Sequence, residues 1–279
     1  MTRASIRRLL LALAFFAASA FALAFLALPL IALLTHEPPG RLVGQLSNPV
    51  VTNALLVSVE TSAVAQMAIL LFGTPLAYLL AHRFRGRGVL VTLVELPIVL
   101  PPAVAGIGLI VAFGRVGLLG RTFTTLGIDV SYNKAAVVLA VAFVAGPLYV
   151  RTAIAAFQAV DGRLVGASRT LGAGPARTFF RIVLPLASGG LGAGAALALA
   201  RGLGEFGATI LFAGSLQGIT QTLPLAIYQE FDVNLDVALT IAALFVIMTG
   251  AVLMSLKLTR LWHSSRSASH SHFAISGSS

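Results

Sequence analysis

The sequence predicts an all-α integral membrane protein of six helical spans joined by short connections, with the N- and C-termini cytoplasmic. Three observations carry this. The 279-residue chain is 58% hydrophobic and only 10% charged, whereas a soluble globular chain is about 25% charged. Six apolar stretches, near 9–34, 53–81, 89–113, 134–153, 186–214 and 236–258, approach or exceed the roughly 20 residues that cross about 30 Å of hydrocarbon. Fourteen of the 19 Lys and Arg fall at the N-terminus, in the 82–88 connection, in the 151–181 segment and after the last span. That alternation follows the excess of basic residues on the cytoplasmic side of membrane proteins.

The net charge of +10 therefore reflects topology and attraction to anionic lipid headgroups, and no nucleic-acid partner is expected. There is no cysteine, which excludes disulfides, thiolate metal sites and cysteine nucleophiles.

The first span follows Arg7 and Arg8. The "ASA" at Ala18 to Ala20 resembles a signal-peptide cleavage site, but the apolar run continues to Leu34, so an uncleaved span is the better reading. Residues 1–50 comprise this span and an outer loop. "THEPPGRLVGQLSNPVVTN" (Thr35 to Asn53) is punctuated by Pro and Gly, as a loop with a short surface helix would be. The membrane domain then covers 51–258. Its second span contains Glu60, which should face protein and not lipid, and ends at the basic turn "AHRFRGRG". The third contains "ELPIVLPPAVAGIG" (Glu95 to Gly108). Prolines 97, 101 and 102 remove backbone donors there, compatible with a structural kink or with an irregular segment beside a pathway. Glu95 should lie near the cytoplasmic side.

After the fourth span comes a cytoplasmic segment, 154–185, rich in Arg, Gly and Pro. Asp161 can cap a short helix, and Leu164, Ala167, Ser168 and Leu171 then share one face. Gly172 is placed to end that helix, and Pro175 suits the first position of a second one. The result is a helix-turn-helix presenting a small apolar ridge among arginines.

The fifth span, Leu186 to Gly214, holds Gly190 and Gly194 at the spacing that lets helices approach closely. Lining a dimer axis or a substrate path would be an additional role. "GLGEFG" (Gly202 to Gly207) fits a dinucleotide fingerprint but lies within an apolar span, without the strand that the fingerprint requires. Arg201 and Glu205 are four residues apart, on one helical face. The economical reading is a self-neutralising pair that tolerates burial. The sharper one sets Arg201 beside the path of a dianion, with Glu205 preventing a trap. After the sixth span, the Ser-rich segment 259–279 reads as a disordered cytoplasmic tail. His270 and His272 make no metal site without further ligands.

One longer pattern sharpens the function. Permeases of ATP-binding-cassette importers carry E-A-A, three residues, G, nine residues, then I-x-L-P. Ala167, Gly172, Ile182, Leu184 and Pro185 stand at those positions, with Ser168 for the second Ala and Gly166 for the Glu. The chain thus resembles the membrane subunit of such an importer. "LPIVLPPAVAGIGLIVAFGRVGLLG" (Leu96 to Gly120), "ARGLGEFGATILFAGS" (Ala200 to Ser215) and "TQTLPLAIY" (Thr220 to Tyr228) narrow the resemblance to molybdate permeases, over residues 50–258. Sulfate or thiosulfate and tungstate permeases are the alternatives.

The resemblance implies a type I importer permease fold and a homodimer in the cytoplasmic membrane of a prokaryote. It also implies an extracytoplasmic molybdate-binding protein and a cytoplasmic pair of ATPase subunits that hold ATP and Mg; no cofactor or metal is expected in this chain. Residues 154–185 become the loop that couples to the ATPase, with Leu164, Ala167, Ser168, Leu171, Gly172, Ile182, Leu184 and Pro185 as its elements. Arg201, Glu205, Gly207 and Thr209 become pathway candidates. Neither Lys134 nor Lys257 sits in a phosphate-binding G-x-x-x-x-G-K-[ST] loop, so the chain is a transport subunit and no ATPase itself. Two readings from other classes are weaker. An ion-coupled secondary transporter would show inverted repeats, and an intramembrane enzyme would carry a motif such as H-E-x-x-H.

Overall fold

The computed structural model describes residues 3–36, 38–127 and 130–272, and among them every regular element is helical. The chain begins with α1 (Arg3–His36) and the short α2 (Pro39–Gln45), the surface helix expected between the first two spans. Next come α3 (Pro49–Ala81), α4 (Arg87–Val99), α5 (Pro102–Phe113), α6 (Gly120–Thr125) and α7 (Lys134–Gln158). Then follow α8 (Gly162–Thr170), α9 (Pro175–Thr178), a π-helical turn (Phe179–Val183), α10 (Leu184–Leu203), α11 (Gly207–Phe212), α12 (Leu223–Phe231) and α13 (Leu235–His272).

Among the described residues, five helical stretches are long and apolar enough to cross a membrane: Leu10–His36, Pro49–Ala81, Lys134–Gln158, Pro175–Leu203 and Leu235–Met254. The expected third span, 89–113, is not one helix. It is broken between α4 and α5, which meet at a 117° bend. Pro101 and Pro102 supply no amide hydrogen, so the ladder cannot continue through them, and Pro101 stands outside α5 as its extended N-cap. Counted as one broken span, the pair makes six.

The expected fifth span, 186–214, is also discontinuous, with α10 ending at Leu203 and α11 starting at Gly207. At its other end this span starts earlier than expected, because α9, the π turn and α10 run on as one rod. The π turn has a local cause. Pro185 has no N–H and its ring would strike the carbonyl of Arg181, four residues back. In the widened turn the Leu184 amide bonds the Phe179 carbonyl, five residues back.

At the centre lies α7, packed along α3 on one side and α10 on the other. The contacts depend on missing side chains. A Cβ at Gly190 would stand 2.5 Å from the Ala156 Cβ, and one at Gly202 would stand 2.8 Å from a Val141 methyl. Tyr149 of α7 is buried between Gly73 of α3 and Gly194 of α10, and its hydroxyl bonds Thr74 at 2.6 Å. The face of α10 that carries Gly190, Gly194 and Gly202 is therefore filled by α7 of the same chain. A second core joins α3, α12 and α13, where Ser58 Oγ accepts the Leu223 amide at 2.7 Å and caps α12 from another helix.

By contrast, α1 touches little besides α13, and its side chains from Leu10 to Leu34 are mostly exposed. The backbone of α13 is helical as far as His272, beyond the point where the Ser-rich segment suggested loss of order; a helix already nucleated extends at low cost through Ser, Lys and Arg. Side chains from Ser255 onward, those of His270 and His272 included, and residues 273–279 lie outside the described ones.

Candidate functional site

Two regions gather the residues singled out in the sequence. The first is the loop between α7 and α10. Asp161 caps α8 as expected, accepting the Arg163 amide at 2.8 Å. Gly172 ends the helix with φ +80°, a conformation that glycine adopts without strain. Pro175 opens α9. Leu171 is 88% exposed and Leu164 half exposed, and Ala167 is also open to solvent. These three form the outer face of the loop.

Ser168 lines the same groove face as Leu164, Ala167 and Leu171 but is its buried member. It donates to the Val165 carbonyl at 2.9 Å and lies 3.0 Å from the buried Thr178 hydroxyl, so it also pins α8 to α9. Between the two helices lies a groove of about 390 Å³, lined by Leu164, Ala167, Leu171 and Ile182 with Arg177 and Arg181. Leu184 packs into the core beneath it, and Pro185 follows in the first turn of α10. A side chain at Gly166 would meet nothing within 4 Å, so the loop needs no glutamate there to fold. Tyr78 of α3 stacks edge-on against Phe157 of α7 and Phe179 of the π turn, with centroids 5.4 and 4.7 Å apart. That aromatic cluster fastens the loop to the bundle.

The second region lies where the two broken helices meet. Glu205 sits past the end of α10 and not on it, in the link between α10 and α11. Its side chain is 1% exposed; Oε1 accepts the Ala208 amide at 2.8 Å, capping the first turn of α11. Arg201 Nη1 lies 2.7 Å from its Oε2. The pair thus forms as the spacing suggested, although a turn of helix is missing beneath the carboxylate.

Gly207 abuts the other break, where a Cβ would stand 2.5 Å from the Pro102 Cβ. Between the breaks is a cavity of about 150 Å³ lined by Pro97, Leu100, Pro102, Val144, Leu148 and Arg201, the last its one charged wall among the described residues. Thr209 does not line it. It is fully buried in α11, and its hydroxyl meets no hydrogen-bonding partner among the described residues. Of the four pathway candidates, therefore, Arg201 lines the cavity, Glu205 and Gly207 each touch a residue of its wall (Arg201 and Pro102), and Thr209 stands apart.

One participant was not singled out in the sequence. Gln66 of α3 donates to the Ala195 carbonyl of α10 at 3.1 Å; a lone glutamine in an apolar span was its signal. Pro102, singled out as a helix breaker, is a packing surface as well. Two further acids are paired: Glu60 with Lys134 at 2.5 Å, both about half exposed, and Glu95 with the more exposed Arg151 at 3.6 Å. No group of three or more His, Asp or Glu side chains arranged to hold a metal is found among the described residues.

Comparison with known proteins follows the same lines. The family model for the binding-protein-dependent transport system inner membrane component matches residues 70–261. The chain is 42% identical to the molybdenum transport system permease protein ModB of Mycobacterium tuberculosis, over 82% of this chain and 88% of that one. With ModB of Escherichia coli it shares 44% identity over 63% of this chain and 77% of the other. The fold is that of a bacterial ABC transporter involved in the import of the acidic polysaccharide alginate, with a TM-score of 0.65 at 17% identity, covering 91% of this chain and 96% of that one. A type I importer permease fold, a signature loop folded as a helical hairpin and a family match across most of the chain agree, and the chain belongs to the inner membrane components of binding-protein-dependent transport systems.

Proposed function

We propose that this chain is the permease subunit of an ATP-driven importer that carries molybdate across the cytoplasmic membrane of a prokaryote. The observation that carries the anion is the 42% identity to a molybdenum permease along nearly its whole length. The energy source is a separate pair of cytoplasmic ATPase subunits, which hold ATP and Mg and receive Leu164, Ala167 and Leu171 of the loop. An extracytoplasmic binding protein delivers the anion, and two copies of the permease enclose the path. Both termini are cytoplasmic in this reading, which the distribution of basic residues supports. The path runs past Arg201 and the two helix breaks, because a cation beside a cavity offers a dianion its one favourable stop in an apolar bundle.

The test is uptake of labelled molybdate into vesicles holding the permease, its ATPase and its binding protein. Uptake that needs ATP and withstands excess sulfate is the expected result. Uptake abolished by sulfate would keep the importer and change the anion; uptake without the ATPase would overturn the class.

A further inference from the structure

The Arg201–Glu205 pair is not symmetric. The guanidinium side chain is 35% exposed and the carboxylate 1%. Glu205 is enclosed and fixed at one oxygen by the α11 amide, while Arg201 opens on the cavity. A guanidinium carries five N–H donors, and Glu205 engages Nη1 alone among the described residues. Among the described residues the remaining donors have no protein partner. The N-terminal end of α5, with its partial positive charge, borders the same cavity through Pro102 and Ala105. A water takes about 30 Å³ of liquid, so the space holds roughly five waters, or one small tetrahedral anion in place of most of them.

We propose that this cavity is a transient binding site for a tetrahedral oxyanion dianion, in which Arg201 is the binding cation and Glu205 a built-in competitor for it. The inference rests on the importer reading above and adds a site and a reason for its weakness. An arriving anion draws on the free donors of Arg201, but the guanidinium is already paired with a carboxylate at Nη1. Glu205 cannot swing away without uncapping α11, and α11 is seated against α5, where a Cβ at Gly106 would stand 2.9 Å from the Leu211 Cβ. The carboxylate therefore stays in place and keeps the anion weakly held, as a transport site requires for release. Without that charge the same cation would become a trap, since charge-assisted hydrogen bonds from an arginine in an apolar cavity are strong.

The experiment is equilibrium binding of labelled molybdate to the permease–ATPase complex in lipid nanodiscs, with no binding protein present. Glu205→Gln retains an oxygen for the Ala208 amide and removes the competitor. It should bind molybdate roughly tenfold or more tighter than the natural chain and slow uptake, whereas Arg201→Gln should bind none. Equal affinities for the natural chain and Glu205→Gln, or undiminished binding by Arg201→Gln, would overturn the site while leaving ATP-dependent uptake, and so the importer reading, intact. Should Glu205→Gln fail to fold, crystals of the natural complex soaked in tungstate decide. An anomalous peak in the cavity beside Arg201 supports the site, and its absence there with tungstate bound elsewhere overturns it.

Discussion

Pro102 and Gly207 touch at the two helix breaks, so closely that a single added carbon at position 207 would sit 2.5 Å from the proline Cβ. This contact seats the start of α11 against Pro102, a wall of the cavity. Overpacking of this kind costs about 1–3 kcal/mol. Gly207→Val should therefore lower the thermal unfolding temperature in detergent and abolish molybdate uptake, while the loop on the other end of α10 still captures the ATPase. Normal uptake by the variant would mean that the junction yields.

Gly190 and Ala156 give a reciprocal case. Gly190→Ala should destabilise the α7–α10 packing by about 1–3 kcal/mol, because the new carbon has a neighbouring Cβ 2.5 Å away. Adding Ala156→Gly removes that neighbour and should recover most of the loss, less about 1 kcal/mol for glycine in a helix interior. A denaturation series on the two single variants and the double one measures the coupling.

The Ser168–Thr178 bond makes a signature asymmetry testable. Ser168→Ala leaves a buried hydroxyl at Thr178 and should cost about 1–3 kcal/mol of local stability, seen as faster amide exchange in α8. Changing both, with Thr178→Val, leaves nothing unpaired and should come close to neutral. Equal exchange in all three proteins would show that the pin is dispensable.

Leu171 should matter only to a partner. At 88% exposed it can become Asp with a stability change within about 0.5 kcal/mol, yet Leu171→Asp should lose the ATPase in a pull-down. Gly166→Glu, which restores the signature residue into open space, should keep it. ATPase capture by Leu171→Asp would remove the loop from the interface.

The spans, the capped α8, its glycine stop and the proline start of α9 were legible because each rests on local chemistry: hydropathy, a side-chain acceptor at the cap, a positive φ, a missing amide. The two breaks were less so. Hydropathy has no direction, and an apolar run with a reversal in it, as between α4 and α5, scores like a straight one; only the prolines at 97, 101 and 102 hinted at it. Glu205 was placed on a helix by its spacing from Arg201, but Gly204 and the capping of α11 by the carboxylate end the helix first. The inward turn of Ser168 and the use of Gly190 against α7 are tertiary choices, made by Thr178 and Ala156, which lie on other helices than the faces they select.

The uninterrupted run from Pro175 to Leu203 has a mechanical meaning. Its 29 residues, at about 1.5 Å each, make a rod roughly 40 Å long, with the signature loop at one end and Arg201 near the other. Such a rod acts as a lever: a tilt of about 5° at the loop displaces the far end by roughly 3–4 Å, comparable to the width of a water molecule. An event at the loop can thus reshape the surroundings of Arg201 by rigid motion alone, with no relay of side chains between them.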